Sequence, residues 1–285
     1  MTTIAIEPCS LSISCVVYDT DYDVLATTIE SLKVALETAI QYKTLTHYKF
    51  SLINNQTTTP TSFQQASTLA SNILSSVEII SGHGNIGYGR ANNLVIHKTN
   101  LDFHLILNPD VKLDPFALYE GLIFLMKHQD VGLVAPNAVN ENGLPEYLCK
   151  RMPNPLIIFL RGINSRLLNR IFRKSLDWYT YRDKLPTTEP FAIELASGCF
   201  MLCRTEILKS VGGFSPEYFL YFEDFDLSRK MAKKVFLPSM RITHLGGKAA
   251  TKGLKHIKLF LKSYWLFLKL GRANKIHRTN SSQSK

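Results

Sequence analysis

Along its first 135 residues this chain changes hydrophobic period repeatedly. Leu11 to Tyr18 is an almost continuous apolar run closed by the turn from Asp19 to Asp23, which predicts a buried first strand. Leu25, Ile29, Leu32, Leu36 and Ile40 then recur at helical spacing, so a helix is expected over 24–39. Residues 48–53, 77–80, 103–107 and 131–135 read as further strands, with helices over 63–74, 91–98 and 116–128. Strands alternating with helices at this spacing imply parallel βαβ units. Ligands of such sheets gather at the carboxyl ends of the strands. That rule singles out Tyr18 and Asp19, then Asn54 and Asn55, the glycine-rich turn from Gly82 to Arg90, and Asn108-Pro109-Asp110.

The second half is less regular. Residues 150–184 begin with prolines and read as an insertion carrying one or two helices, after which 193–203 and 235–244 return to strand character. Between them, Gly212 and Gly213 end a helix begun at Arg204, and Phe219-Leu-Tyr-Phe-Glu-Asp-Phe-Asp-Leu-Ser-Arg229 sets three carboxylates and an arginine beside an apolar run. Carboxylates against apolar walls are costly unless paired, metal-bound or used in chemistry. Glu223 and Asp224 are expected to open a helix, where the dipole keeps them ionised near neutral pH and able to act as a base. No internal repeat is present, and 279–285 is expected to be disordered.

Charge sharpens this picture. The net charge of +10 is matched by ten basic residues in 246–285, a stretch without acids, and seven more lie in 150–174. The remainder of the chain is therefore acidic. Lys255, Lys258, Lys262 and Lys269 form one stripe of a tail helix, with Ile257, Leu261, Tyr264, Trp265 and Leu268 away from it. This basic amphipathic pattern predicts peripheral attachment to an anionic membrane face rather than nucleic-acid binding. Five cysteines without a repeating pattern argue for a reducing compartment, and neither a signal peptide nor a spanning segment is read, which points to the cytoplasmic face of the inner leaflet.

Five blocks then occur in register: Gly84-Asn-Ile-Gly-Tyr-Gly-Arg90-Ala-Asn-Asn93, Leu107-Asn-Pro-Asp110, Ala196-Ser-Gly-Cys-Phe-Met201, Gly212-Gly-Phe214 with Tyr221 to Arg229, and His244-Leu-Gly-Gly247. In order and spacing, residues 11–250 resemble the family 2 inverting glycosyltransferases of the GT-A fold, and among them bacterial rhamnosyltransferases of surface polysaccharide synthesis. The resemblance implies a Rossmann-like, mostly parallel α/β sheet with helices on both faces. It divides the chain into a nucleotide-sugar-binding half (1–135), an acceptor-binding and catalytic half (136–247) and the basic tail (248–285). It implies metal-assisted transfer of a sugar, L-rhamnose from dTDP-rhamnose, to a lipid-linked or lipopolysaccharide oligosaccharide. A UDP-hexose donor, or a non-catalytic sugar-nucleotide-binding role, are the alternatives. Asp224 takes the place of the base, with Glu223, Asp226 and Arg229 as acceptor-side supports. Val17, Tyr18, Asp19, Asn54, Gly87, Arg90, Asn108 and Asp110 fall on the nucleotide-sugar side, Asp110 and His244 as ligands of Mn2+ or Mg2+. Asn54 and Asn108 stand where the family usually has aspartate.

Overall fold

The computed structural model describes residues 7–163, 165–246 and 254–282, with side chains described there except at 162, 254–255 and 272–282. The first half alternates as its periodicity requires: β1 (Cys9–Val17), α1 (Tyr22–Gln41), β2 (Leu45–Asn54), α2 (Thr61–Ile73), β3 (Val77–Ile80), α3 (Tyr88–Ile96), β4 (Phe103–Leu107), β5 (Val111–Leu113), α4 (Ala117–Lys127) and β6 (Val131–Asn140). The short strands β7 (Pro145–Glu146) and β8 (Cys149–Lys150) precede three helices, α5 (Pro155–Ile163), α6 (Arg166–Ile171) and α7 (Arg173–Tyr179), one more than the basic insertion suggested. The chain returns through β9 (Phe191–Ala192), β10 (Leu195–Ala196), β11 (Phe200–Arg204), α8 (Thr205–Ser210), α9 (Glu223–Lys230), β12 (Lys233–His244) and α10 (Leu254–Ser282).

The main sheet runs β3-β2-β1-β4-β11-β6-β12-β5. Strands β1 to β4 are mutually parallel, so the ends at Val17, Asn54 and Leu107 share one edge. β11 runs antiparallel to β4 and places Phe200 opposite Leu107, which carries Gly198 and Cys199 to that same edge. β12 ends there too, since His244 pairs with Val111 of β5. The strand read over 193–203 is in fact two, because β10 pairs with β8 while β11 joins the main sheet. A three-residue strand such as β5 carries too little period to be read from sequence.

The apolar stripe of α1 packs Leu25, Ile29, Leu32 and Leu36 against Ile13, Phe50 and Leu105, all fully buried. The opposite sheet face buries Ile106, Leu133 and Met201 against Phe214 and Leu227. α10 joins the domain through Tyr264 and Phe267, which cluster with Ile158, Tyr218 and Phe222. Tyr264 was expected on the membrane-facing stripe, but it packs 5.3 Å from the Phe222 ring. That leaves Ile257, Leu261 and Trp265 as the exposed apolar stripe, next to Lys258, Lys262 and Lys269; the Lys255 side chain lies outside the described residues. The helix continues through 279–282, where disorder was expected, while 283–285 and Gly247 lie outside the described residues.

The glycine-rich turn packs against the loop leading to α9. Gly87 has φ +89°, and a Cβ there would lie 2.5 Å from the Phe219 carbonyl oxygen. Gly87→Ala should therefore lower stability by more than about 1 kcal/mol, the usual order of cost for alanine at a positive φ. Gly143→Ala, at φ +72° with open space around it, isolates the conformational part of that loss. The difference between the two urea midpoints measures the close approach, and equal midpoints would show that Phe219 yields freely.

Candidate active site

α9 begins where Phe222, itself at φ +65°, turns the chain under α10, so its first residues are set beneath packed aromatic rings. Asp224 stands at this opening. Its Oδ2 accepts from the Gly198 N–H at 2.9 Å and its Oδ1 from the Phe225 N–H at 2.8 Å. The Tyr88 hydroxyl donates to the Gly198 carbonyl at 2.7 Å, so α3 braces the same residue. Immediately after Gly198, the Cys199 carbonyl accepts from the Asn108 N–H at 2.9 Å. Consecutive residues thus tie the α9 carboxylate to the Asn108-Pro109-Asp110 turn.

Glu223 is buried beside Asp224, and among the described residues its Oε2 has no hydrogen-bond partner. Burial, and next the Asp224 charge, push the Glu223 carboxyl up to about 8. Burial also raises the Asp224 carboxyl, while the Gly198 and Phe225 amides pull it back down. Two carboxylates in one buried site share a proton, and the one holding the N–H donors remains the anion. Of the pair, Glu223 is therefore the one pushed toward the protonated form, and Asp224, partly exposed and holding both N–H donors, the one better able to carry the charge. The expectation that the helix dipole keeps both ionised is corrected here, since desolvation outweighs the dipole at a buried helix start.

Asp226 and Arg229 face elsewhere. Asp226 is 1% exposed and is held by Ser215, Arg229 and, at 3.7 Å, Lys230. Arg229 Nη1 also donates to the Phe267 carbonyl of α10 at 2.7 Å. This network pins α9 to the tail helix, in line with Asp226 holding Arg229 and not with either residue reaching an acceptor.

At the sheet edge His244 bridges two carboxylates, with Nδ1 2.8 Å from Glu146 Oε2 and Nε2 3.4 Å from Asp110 Oδ2. Asp110 first, then the Cys199 thiol, push His244 up to about 11. Glu146 escaped the sequence reading because the β6–β7 hairpin alone places it beside His244. A carboxylate on one ring nitrogen that leaves the other beside a second carboxylate is an arrangement found around metal-binding histidines. Asp110 and His244, the latter once its imidazole is deprotonated, would offer a divalent cation two ligands here. Among the described residues no group of three His, Cys, Asp or Glu side chains is arranged to hold a metal ion.

The remaining nucleotide-side residues divide. Tyr18 and Asp19 are exposed just beyond the end of β1, while Val17 is buried and its carbonyl accepts from the Asn55 N–H. Asn54 is 1% exposed; its amide closes the following loop on the Thr58 carbonyl at 2.8 Å and its Oδ1 accepts from Gln56 N–H. Arg90 Nε donates to the Pro216 carbonyl at 2.6 Å. The N–H groups of Ile86, Gly87 and Tyr88 are taken by Asn55, Asn85 and Phe219. Asn54 and the Ile86, Gly87 and Tyr88 amides thus hold the loops in place, while Arg90 is exposed and engages Pro216 through Nε alone.

Because the Glu223 pKa lies above its unfolded value of 4.5, this side chain favours folding in acid and loses that effect as pH rises toward 8. Glu223→Gln should raise the melting temperature by several degrees at pH 9 and by little at pH 4.5, followed by thermal unfolding across that range. A gain independent of pH would exclude a buried, protonated Glu223.

No family model matches the chain. It is 26% identical over 211 residues to the Mycobacterium tuberculosis N-acetylglucosaminyl-diphospho-decaprenol L-rhamnosyltransferase, a match covering 67% of this chain and 66% of that protein, just under two thirds of its length. It is 25% identical over 171 residues to the rhamnosyltransferase WbbL of Escherichia coli K12, covering 55% and 58% respectively. Among solved structures, GalNAc-T7 with UDP, GalNAc and Mn2+ superposes with a TM-score of 0.59 at 13% identity, over 86% of this chain and 45% of that one. The Pyrobaculum calidifontis mannosyltransferase PcManGT with GDP-Man and Mn2+ gives 0.55 at 12%, over 85% and 59%. The chain has the GT-A glycosyltransferase fold and is similar in sequence to family 2 rhamnosyltransferases.

Proposed function

We propose that this chain is an inverting glycosyltransferase that moves L-rhamnose from dTDP-rhamnose to the sugar of a lipid-linked oligosaccharide precursor. The observation that supports this reading is the link through Gly198 and Cys199, which ties a hydrogen-bonded carboxylate, Asp224, to the turn that carries Asp110 of the Asp110–His244 pair. The similarity to rhamnosyltransferases supports the sugar, and the diphospho-decaprenol acceptor named for one relative supports the lipid carrier.

In this reading the acceptor hydroxyl oxygen attacks the anomeric carbon, the nucleoside diphosphate leaves from the opposite side, and Asp224 takes the hydroxyl proton. The Gly198 and Phe225 amides keep the Asp224 anion ready, and a pKa raised by burial makes it a stronger base. Glu223, protonated, adds no second charge. Asp110 and His244 would hold the divalent cation, with Glu146 fixing the imidazole; bound there, it offsets the charge of the departing diphosphate. Mn2+ in the two GT-A structures agrees with that assignment. Tyr18 and Asp19 form an open shelf for the nucleoside.

Attachment to an anionic membrane face belongs to the same proposal. No helix among the described residues is long and apolar enough to cross a membrane. Ile257, Leu261 and Trp265 form an unpacked apolar stripe next to lysines, the arrangement of an interfacial helix.

Incubation with dTDP-rhamnose, UDP-hexoses and Mn2+ should show metal-dependent turnover of one donor. Asp224→Asn should lower kcat by about 100-fold or more with donor affinity retained, and Asp110→Ala should weaken donor binding in Mn2+. Substantial turnover in Asp224→Asn would remove Asp224 as the base. Replacing Ile257, Leu261 and Trp265 with serine should abolish sedimentation with phosphatidylglycerol vesicles while leaving the melting temperature unchanged; undiminished sedimentation would remove the attachment.

A further inference from the structure

A cavity of about 210 Å3 opens beside Asp224 and Glu223, walled by Phe222 and Phe260 on one side and by Lys150, Arg161 and Tyr179 on the other. These residues come from β8, α5, α7, α9 and α10, so the basic insertion and the tail helix together complete it. Lys150 Nζ lies 6.0 Å and Arg161 Cζ 5.5 Å from the centroid of the same Tyr179 ring. Among the described residues neither cation is ion-paired; the Lys150 amine donates to the Tyr147 carbonyl. Burial, then the Arg161 charge, bring Lys150 down to about 7, while Glu146 and Asp224 act on it only from beyond pairing distance. Two cations converging on a partly dry cavity repel one another until an anion bridges them.

We propose that Lys150 and Arg161 form a subsite for the diphosphate of a prenyl-diphosphate-linked acceptor, separate from the site of the nucleotide donor. The chemistry suits a doubly charged anhydride, which can engage both cations at once, with Arg161 able to bind a phosphate through two N–H groups. A sugar on that diphosphate would lie between the cations and Asp224, which is where a hydroxyl must be for its proton to be taken. On α5 itself the exposed Leu156, Phe159 and Ile163 recur at helical spacing as a separate apolar face, turned away from the cavity-lining Ile158 and Arg161. The identity of the anion as an acceptor rests on the glycosyl-transfer reading; its binding at these two residues does not.

Calorimetric titration of the full chain with farnesyl diphosphate, farnesyl monophosphate, farnesol and dTDP tests this. Farnesyl diphosphate should bind more tightly than the monophosphate or the alcohol, and Arg161→Gln, at an exposed position, should weaken it about tenfold or more with dTDP affinity unchanged. Lys150→Met, which keeps the buried stem, should act likewise. Equal binding of farnesyl diphosphate to the wild type and both variants, equal binding of farnesol, no binding at all, or competition between dTDP and farnesyl diphosphate would each overturn the subsite. If no nucleotide or nucleotide sugar binds while the Arg161-dependent binding of farnesyl diphosphate persists, the subsite stands and the transfer reading falls.

Discussion

One backbone amide, Gly198 N–H donating to Asp224 Oδ2, joins the sheet to α9, and the site depends on it. A Cβ at Gly198 would lie 3.2 Å from both the Asp224 Cβ and the Tyr88 ring. That closeness leaves little room for a side chain, and Gly198 lies in the break between β10, which pairs with β8, and β11, which joins the main sheet. The break frees the Gly198 and Cys199 backbone for Asp224 and Asn108. A continuous strand over 193–203 would have spent those groups on its own ladder.

The same economy of polar groups explains the division among the candidate residues. Asn54, Asp226 and Arg229 are all polar and all lie in suggestive motifs, yet each is held by an internal partner. They hold the loops and helices that shape the edge. Among the described residues Glu223 keeps an oxygen without a hydrogen-bond partner and Lys150 and Arg161 have no ion-pair partner, and all three line the cavity.

The tail helix has two apolar aspects with different consequences. Tyr264 and Phe267 close the aromatic cluster around Phe222, and Arg229 reaches the Phe267 carbonyl, so α10 is part of the wall that excludes water from Asp224. Its exposed stripe is left for a different surface. A single helical period in the sequence cannot separate these aspects, because both are apolar and they are adjacent on the helix.

By itself the sequence determined the βαβ framework, the helix opening at Glu223, and Asp110, Asp224 and His244 as residues to watch. Periodicity and turn chemistry are local properties, and ordered motifs survive without knowledge of contacts. Only the tertiary structure decided that Glu146 faces His244, 98 residues away, that Gly198 holds Asp224 and that Lys150 meets Arg161 over Tyr179. It also decided that the Asn54 amide is already satisfied within its own loop. Whether a polar atom is spent or available, and whether a carboxylate is wet or dry, depends on neighbours remote in the chain. Those neighbours set the desolvation that moves the proton onto Glu223, which no local pattern of charges encodes.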